Sequence, residues 1–208
     1  KTNDYGKTWS KIIKGIPHDH FTRTIREDPD RRGLLYAGTE LGLYVSLNDG
    51  EFWQPLQCNM PIVPIYDIEV KEKDLVLATH GRSFWILDDL SPLHQYSDEV
   101  TRLDFHLFKP RSCHRVSSNP NGFLPDGKTY MLGSGVPATS MLINKPNGEM
   151  VRTLLDAGQN PPIGIVVNYH MNKKSEVLIR FLDSEGCEIK KFSSSDEGSG
   201  KVDNEVGG

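Results

Sequence analysis

Thr2-Asn3-Asp4-Tyr5-Gly6-Lys7-Thr8-Trp9 aligns without gaps on Ser46-Leu47-Asn48-Asp49-Gly50-Glu51-Phe52-Trp53, 44 positions further along the chain. The match extends to Pro17 and Pro61, each eight residues past the Trp. A second register, shifted by 41 positions, lays Ala37 to Val45 over Ala78 to Ile86. Self-similarity at such a period marks a repeat architecture, in which each unit covers its apolar face with a neighbour.

The eight-residue motif reads Ser/Thr-x-Asp-x-Gly-x-Thr-Trp, and its fixed positions suit a strand-turn-strand hairpin. Asp4 can accept hydrogen bonds from the turn's backbone N–H groups, and Gly6 can take a positive φ. Thr8 can tie the turn through its hydroxyl. Trp9 starts the outgoing strand and carries a large ring to bury between neighbouring units. In the second copy Asn48 replaces Asp and Phe52 replaces Thr, while Gly50 and Trp53 are kept. In a third copy, Leu87-Asp88-Asp89-Leu90, only Asp89 survives.

Strand-like runs lie between these anchors at Phe21 to Arg26, Leu34 to Gly38, Ile65 to Val70 and Leu75 to Thr79. Asp28-Pro29 and Lys73-Asp74 read as the turns that separate them. About four short strands per repeat is the content of a β-propeller blade.

Asp4, Gly6, Thr8 and Trp9 together resemble an Asp box, or BNR repeat, of the kind found in sialidases, the sortilin propeller, xyloglucan-cleaving enzymes and photosystem II assembly factors. Ala78-Thr79-His80-Gly81-Arg82-Ser83-Phe84-Trp85-Ile86-Leu87-Asp88-Asp89 is similar to the closing blade of large bacterial sortilin-like propellers, which are often labelled glycosyl hydrolases. The resemblance covers residues 1–96. It implies an extracytoplasmic location, periplasmic or secreted, and it places Asp-box turns on the propeller rim, away from the usual ligand face.

Past this region the pattern changes. Ser117 to Gly127 is rich in Ser, Asn, Pro and Gly and reads as an exposed connector. Thr139 to Ile143 and Met150 to Leu155 read as strands joined through Asn147-Gly148. Ile165 to His170, Val177 to Leu182 and Glu188 to Phe192 read as three antiparallel strands, the last two joined by Asp183-Ser184-Glu185-Gly186. That is too few for an immunoglobulin-type sandwich, which needs about seven. The expectation is therefore an all-β chain with a partial β-propeller of about two blades at 1–96, a connector at 97–138 and a truncated, partial β-sandwich at 139–208. Both ends read as cut, and Val167, Leu178, Ile179 and Phe181 are expected not to be fully buried.

Composition narrows the function classes. Twenty-four Lys plus Arg against 28 Asp plus Glu give a net charge of −4 at pH 7, with no basic stretch to follow a nucleic-acid backbone. No apolar run is long enough for a transmembrane helix. Cys58, Cys113 and Cys187 lack metal or redox spacing, and His18-Asp19-His20 offers two ligands without a third, so neither metal nor cofactor is expected.

A glycosidase needs two carboxylates flanking the scissile bond. Asp4, Asp88 and Asp89 are the obvious acids, but Asp4 is accounted for by its own turn, and the catalytic residues are left unassigned. His80 and Arg82 are candidate ligand-facing residues, set beside Phe84 and Trp85. Two functions stay open: a non-catalytic binding or assembly module for a protein, peptide or carbohydrate partner, or part of a glycoside hydrolase whose acids lie mostly elsewhere.

Overall fold

The computed structural model describes residues 1–113, 140–144, 148, 150–154 and 164–195. Apart from one five-residue helix and a 3₁₀ turn, the regular structure among the described residues is β-strand in small antiparallel sheets. Two compact units divide the described residues, one drawn from Lys1–Ser97 and Leu107–Asn168, the other from Asp98–His106 and Tyr169–Gly208.

The first unit opens with a four-stranded meander, β1 (Thr22–Glu27), β2 (Leu35–Thr39), β3 (Gly42–Ser46) and β4 (Gln54–Pro55), paired in chain order. A three-stranded meander follows, β5 (Ile65–Lys71), β6 (Asp74–Thr79) and β7 (Phe84–Leu87). Each of the four strand-like runs read between the motif copies lies within one residue of an observed strand.

Every residue of β2 and β3 is buried, so both faces of this strand pair are covered. Because alternate side chains point to opposite faces, the pair supplies two cores. Tyr36, Leu43 and Val45, with Leu34 just before β2, pack against Ile65, Ile68, Leu75 and Leu77 of the second meander. Leu35, Ala37 and Tyr44 pack on the other side with Trp53, Ile12 and Ile16. Gly38 permits the close approach of the two sheets, since a Cβ there would stand 2.7 Å from Ile65 Cγ2.

The two meanders also share irregularities. The first and fifth strands are each bulged near their start, at Arg23 and at Tyr66. The β5–β6 turn carries positive φ at two non-glycine residues, Glu72 (52°) and Lys73 (70°). After β7 the chain enters α1 (Ser91–Gln95), with a proline in its first turn. Gln95 holds the later segment by exchanging hydrogen bonds with the Lys109 backbone, and Arg111 pairs with Asp74 at 2.5 Å.

In the second unit a 3₁₀ turn (Val100–Arg102) precedes β8 (Phe105–Leu107). Strands β9 (Ser140–Asn144) and β10 (Met150–Leu154) form an antiparallel hairpin in the first unit. Strand β11 (Tyr169–Met171) pairs with β8, and β12 (Leu178–Leu182) pairs with β13 (Glu188–Ser193) through the expected Asp183–Gly186 turn. The three strands read after Ile165 thus do not form one sheet. Ile165 to Asn168 lies outside any strand, and β11 takes its partner from a segment read as connector. None of Val167, Leu178, Ile179 and Phe181 is buried. The Ser117–Gly127 connector lies outside the described residues.

Candidate functional site

The two motif copies fold into the same turn. In the first, the Thr2 hydroxyl accepts from the Gly6 amide at 2.8 Å and donates to Asp4 Oδ1 at 2.9 Å, and the Thr8 amide donates to Asp4 Oδ1 at 2.8 Å. In the second, the Ser46 hydroxyl accepts from Gly50 at 2.9 Å and donates to Asn48 Oδ1 at 3.0 Å, and the Phe52 amide donates to Asn48 Oδ1 at 3.0 Å. Tyr5 and Asp49 take φ of 58° and 59°, and Gly6 and Gly50 take 88° and 86°. Lys1 and Ser10 exchange backbone hydrogen bonds where Val45 and Gln54 pair in the second copy. The Ser/Thr that opens the motif, given no task in the sequence reading, therefore closes the turn with its hydroxyl.

Asp4 has one further bond, from the Thr8 hydroxyl at 2.7 Å to Oδ2. That hydroxyl, the Thr8 amide and the Thr2 hydroxyl hold its carboxyl down to about 2. Its acceptors are used by its own loop.

The two Trp residues part company. Trp53 is 1% exposed, and its ring N–H donates to Ile12 O at 2.9 Å. Trp9 is 73% exposed, and its ring N–H turns back to Gly6 O at 3.1 Å. Within this chain the buried motif ring is that of Trp53. At the third copy Asp89 accepts from the Ser91 amide at 3.0 Å, which starts α1 in place of the motif turn.

The β6–β7 turn, which carries His80 and Arg82, and the β2–β3 turn lie at the opposite ends of the strands. Thr39 Oγ1 donates to Gly42 O at 2.9 Å across the β2–β3 turn, and Thr79 Oγ1 donates to Ser83 O at 2.6 Å across the β6–β7 turn. Thr79, not His80, is thus the counterpart of Thr39, although His80 faces Thr39 in the ungapped alignment. The registers agree: Leu35 pairs with Ser46 and Leu75 with Leu87, so the incoming strands differ by 40 positions and the outgoing ones by 41. The extra residue sits in the turn Gly81 and Ser83 make with φ of 90° and 59°.

Around this turn the Arg23 guanidinium lies 5.2 Å over the Tyr66 ring and also pairs with Glu40, while the Tyr66 and His80 rings are 5.2 Å apart. His80 and Arg82 are exposed, as are Phe21, Tyr66 and Phe84. Nearby, the Tyr44 hydroxyl lies 2.7 Å from His20 Nδ1. Burial, followed by the charge of Asp19, pushes the Tyr44 hydroxyl up. Sequence reasoning named His80 and Arg82 as candidates and passed over Arg23 and Tyr66, which sit at the two bulges.

A second polar cluster was also missed. The Asp28 side chain is completely buried, with Oδ1 accepting from the Asp30 and Arg31 amides at 2.9 and 3.0 Å. Its Oδ2 accepts from the Tyr36 hydroxyl at 2.9 Å and lies 2.9 Å from His94 Nε2. Burial raises the Asp28 pKa, but the bonds from His94, Asp30 and Tyr36 outweigh it and leave the carboxyl below its ordinary value. Burial and the Asp28 charge push the Tyr36 hydroxyl far up. Arg31 completes the clasp by donating to Leu93 O. All four acceptor directions of this carboxylate are filled, so it joins the β1–β2 loop to α1 and leaves no base free for chemistry.

No three His, Cys, Asp or Glu side chains among the described residues come together as a metal site. No helix among them is long and apolar enough to cross a membrane. Compared with family models, curated proteins and solved structures, the chain matches none.

Proposed function

We propose that this chain is a non-catalytic binding or assembly module built as part of an Asp-box β-propeller of the sortilin-like kind, with the β2–β3 and β6–β7 turns forming its binding face. The observation that carries this reading is the pair of motif turns with matching hydrogen bonds, in which the Asp4 carboxylate is used by its own loop. The first antiparallel meander has the four strands of a blade, and the second has three.

The opposite end of the strands offers what a binding surface needs. Phe21, Tyr66 and Phe84 expose aromatic area, and Arg23, His80 and Arg82 supply donors beside it. Aromatic rings and arginine dominate the energetics of protein and peptide recognition, and the same rings can stack on a sugar. The partner is a protein or peptide, or a carbohydrate, with no cofactor.

Peptide and glycan arrays probed with the 208-residue chain test this. Selective capture that falls in Phe84→Ala and Arg82→Ala, with unchanged circular dichroism, is the expected result. Turnover of aryl glycosides by the same preparation would overturn it in favour of a glycoside hydrolase.

A further inference from the structure

The β2–β3 and β6–β7 turns are tied to their own meanders in the same way. The Glu40 amide donates to Phe21 O at 3.1 Å, and the His80 amide donates to Pro64 O at 2.9 Å. Each carbonyl belongs to the residue immediately before the first strand of its meander, so Glu40 and His80 hold counterpart positions.

Arg23 and Tyr66 are counterparts as well, each the bulged second residue of that first strand. A bulge leaves its extra residue out of the ladder. Arg23 pairs with Glu40 and the Tyr66 ring packs on His80, each within its own meander, and the Arg23 guanidinium lies 5.2 Å over the Tyr66 ring between the two. Glu40, Arg23, Tyr66 and His80 thus form a row across two meanders that pack directly on each other. Further along the same strands, Arg26 pairs with Asp67 at 2.6 Å.

The row restricts the chemistry that it can receive. The guanidinium covers one face of the Tyr66 ring and His80 lies beside it, tilted by 49°, so the ring is not a bare platform for the flat face of a sugar. Arg23 Nε donates to Glu40 Oε1 and Nη2 pairs with the same oxygen, yet 42% of the Arg23 side chain is exposed. With one face over Tyr66 and one edge on Glu40, the exposed part is the opposite face and the outer edge of the guanidinium. A carboxylate or phosphate at that edge would stand beside the Glu40 carboxylate and be repelled by it. A neutral aromatic ring meets no such penalty, because it stacks on the free face while the in-plane bonds to Glu40 are kept. Glu40 and Tyr66 already hold the guanidinium in place, so stacking orders little that was loose.

We infer that Arg23 receives a neutral aromatic side chain of a peptide partner, stacked on the guanidinium opposite Tyr66, and that Glu40 is a positioning residue that also excludes acidic ligands. The inference rests on the binding face proposed above and narrows its partner from protein, peptide or carbohydrate to an aromatic peptide.

The test uses the full 208-residue chain labelled with ¹⁵N-arginine, with the Arg23 Nε–Hε resonance assigned through Arg23→Lys. It is titrated with the blocked tripeptides Gly-Trp-Gly, Gly-Leu-Gly and Gly-Asp-Gly, and with methyl β-glucoside. A saturable upfield ring-current shift of Arg23 by the Trp peptide is expected, with the other probes binding at least about threefold more weakly. Tyr66→Leu should weaken the Trp peptide by about the same factor. Glu40→Gln should keep the Trp peptide and admit the Asp peptide, and both variants should leave circular dichroism unchanged. Equal binding of the Leu and Trp peptides, tighter binding of the Asp peptide or the glucoside, or an Arg23 resonance unmoved at the peptide's solubility limit would each overturn the inference, and all are read on the unsubstituted chain. Array capture that depends on Phe84 and Arg82, with Arg23 unmoved by the Trp peptide, would sink this inference and leave the wider binding face standing. A Trp-peptide shift at Arg23 with no array capture would uphold the Arg23 site and remove the wider face.

Discussion

Trp9 and Trp53 close turns with the same positive φ values and the same hydroxyl and amide hydrogen bonds, yet one ring is 73% exposed and the other 1%. The difference lies outside the turns. Trp53 meets segment 12–16 on one side and Leu35, Ala37 and Tyr44 beneath, whereas Trp9 folds back on its own loop. The motif therefore encodes the backbone of the turn, and its neighbours decide what the ring contributes. A repeat read from sequence marks equivalent positions without making them energetically equal.

The largest test of this contrast is a pair of substitutions. Trp53→Ala removes a fully buried ring and leaves the Ile12 carbonyl without its donor, so it should cost about 3–5 kcal/mol. Trp9→Ala, on the surface, should stay within about 0.5 kcal/mol. Urea unfolding followed by circular dichroism measures both. Equal losses would show that the two rings contribute alike despite their different surroundings.

A second contrast sets Asp28 against Asp4, two carboxylates with depressed pKa values and opposite surroundings. Removing Asp28 strands Tyr36, His94 and two backbone amides in a buried site, and Asp28→Ala should cost about 3 kcal/mol. The sign with pH follows from the depression. Asp28's contribution is complete above the carboxylate's unfolded pKa and is lost as pH falls through its lower folded value. Wild-type stability should thus decline on acidification more steeply than that of Asp28→Ala. Parallel pH profiles would remove Asp28 from the acid response.

These contrasts also mark what the sequence could reveal. Strands with apolar alternation or continuous apolar runs were legible, because burial imposes that pattern locally. The motif turns were legible because glycine and a short polar side chain are the chemistry such a turn needs. The Asp28–His94 clasp joins residues 66 positions apart, and nothing in Asp28-Pro29 distinguishes a buried carboxylate from a turn former. The pairing of Arg23 with Tyr66 depends on two bulges that no composition signals. The partner of β11 was missed because Phe105–Leu107 is only three residues long.

A smaller effect distinguishes turns that carry glycine from one that does not. The motif turns place Gly6 and Gly50 at the second positive φ, whereas the β5–β6 turn uses Glu72 and Lys73 for both. Two consecutive residues with positive φ are the signature of a type I′ turn, for which Asn-Gly is preferred. Replacing Glu72 with Asn and Lys73 with Gly should relieve left-handed strain and stabilise the chain by about 1 kcal/mol. The midpoint of urea unfolding reports it, and a loss of stability would mean that the Glu72 or Lys73 side chain contributes more than its backbone costs.

The smallest expected effect separates the two motif turns by chemistry alone. Thr8 gives Asp4 both an amide and a hydroxyl bond, whereas Phe52 gives Asn48 only an amide bond. Thr8→Val keeps the shape and the amide bond and deletes the hydroxyl, the largest cause of the Asp4 depression. The Asp4 pKa should therefore rise from about 2 toward its ordinary value of 3.8. Because the folded pKa lies below the unfolded one, Asp4's stabilising effect is present above the unfolded pKa and fades as pH drops through the folded one. In the variant the two values lie closer, so less is lost on acidification. Carboxyl ¹³C NMR titration reads the pKa directly. An unchanged value in Thr8→Val would assign the depression to the amide and the Thr2 hydroxyl, and would make the first turn's extra hydroxyl irrelevant to its charge.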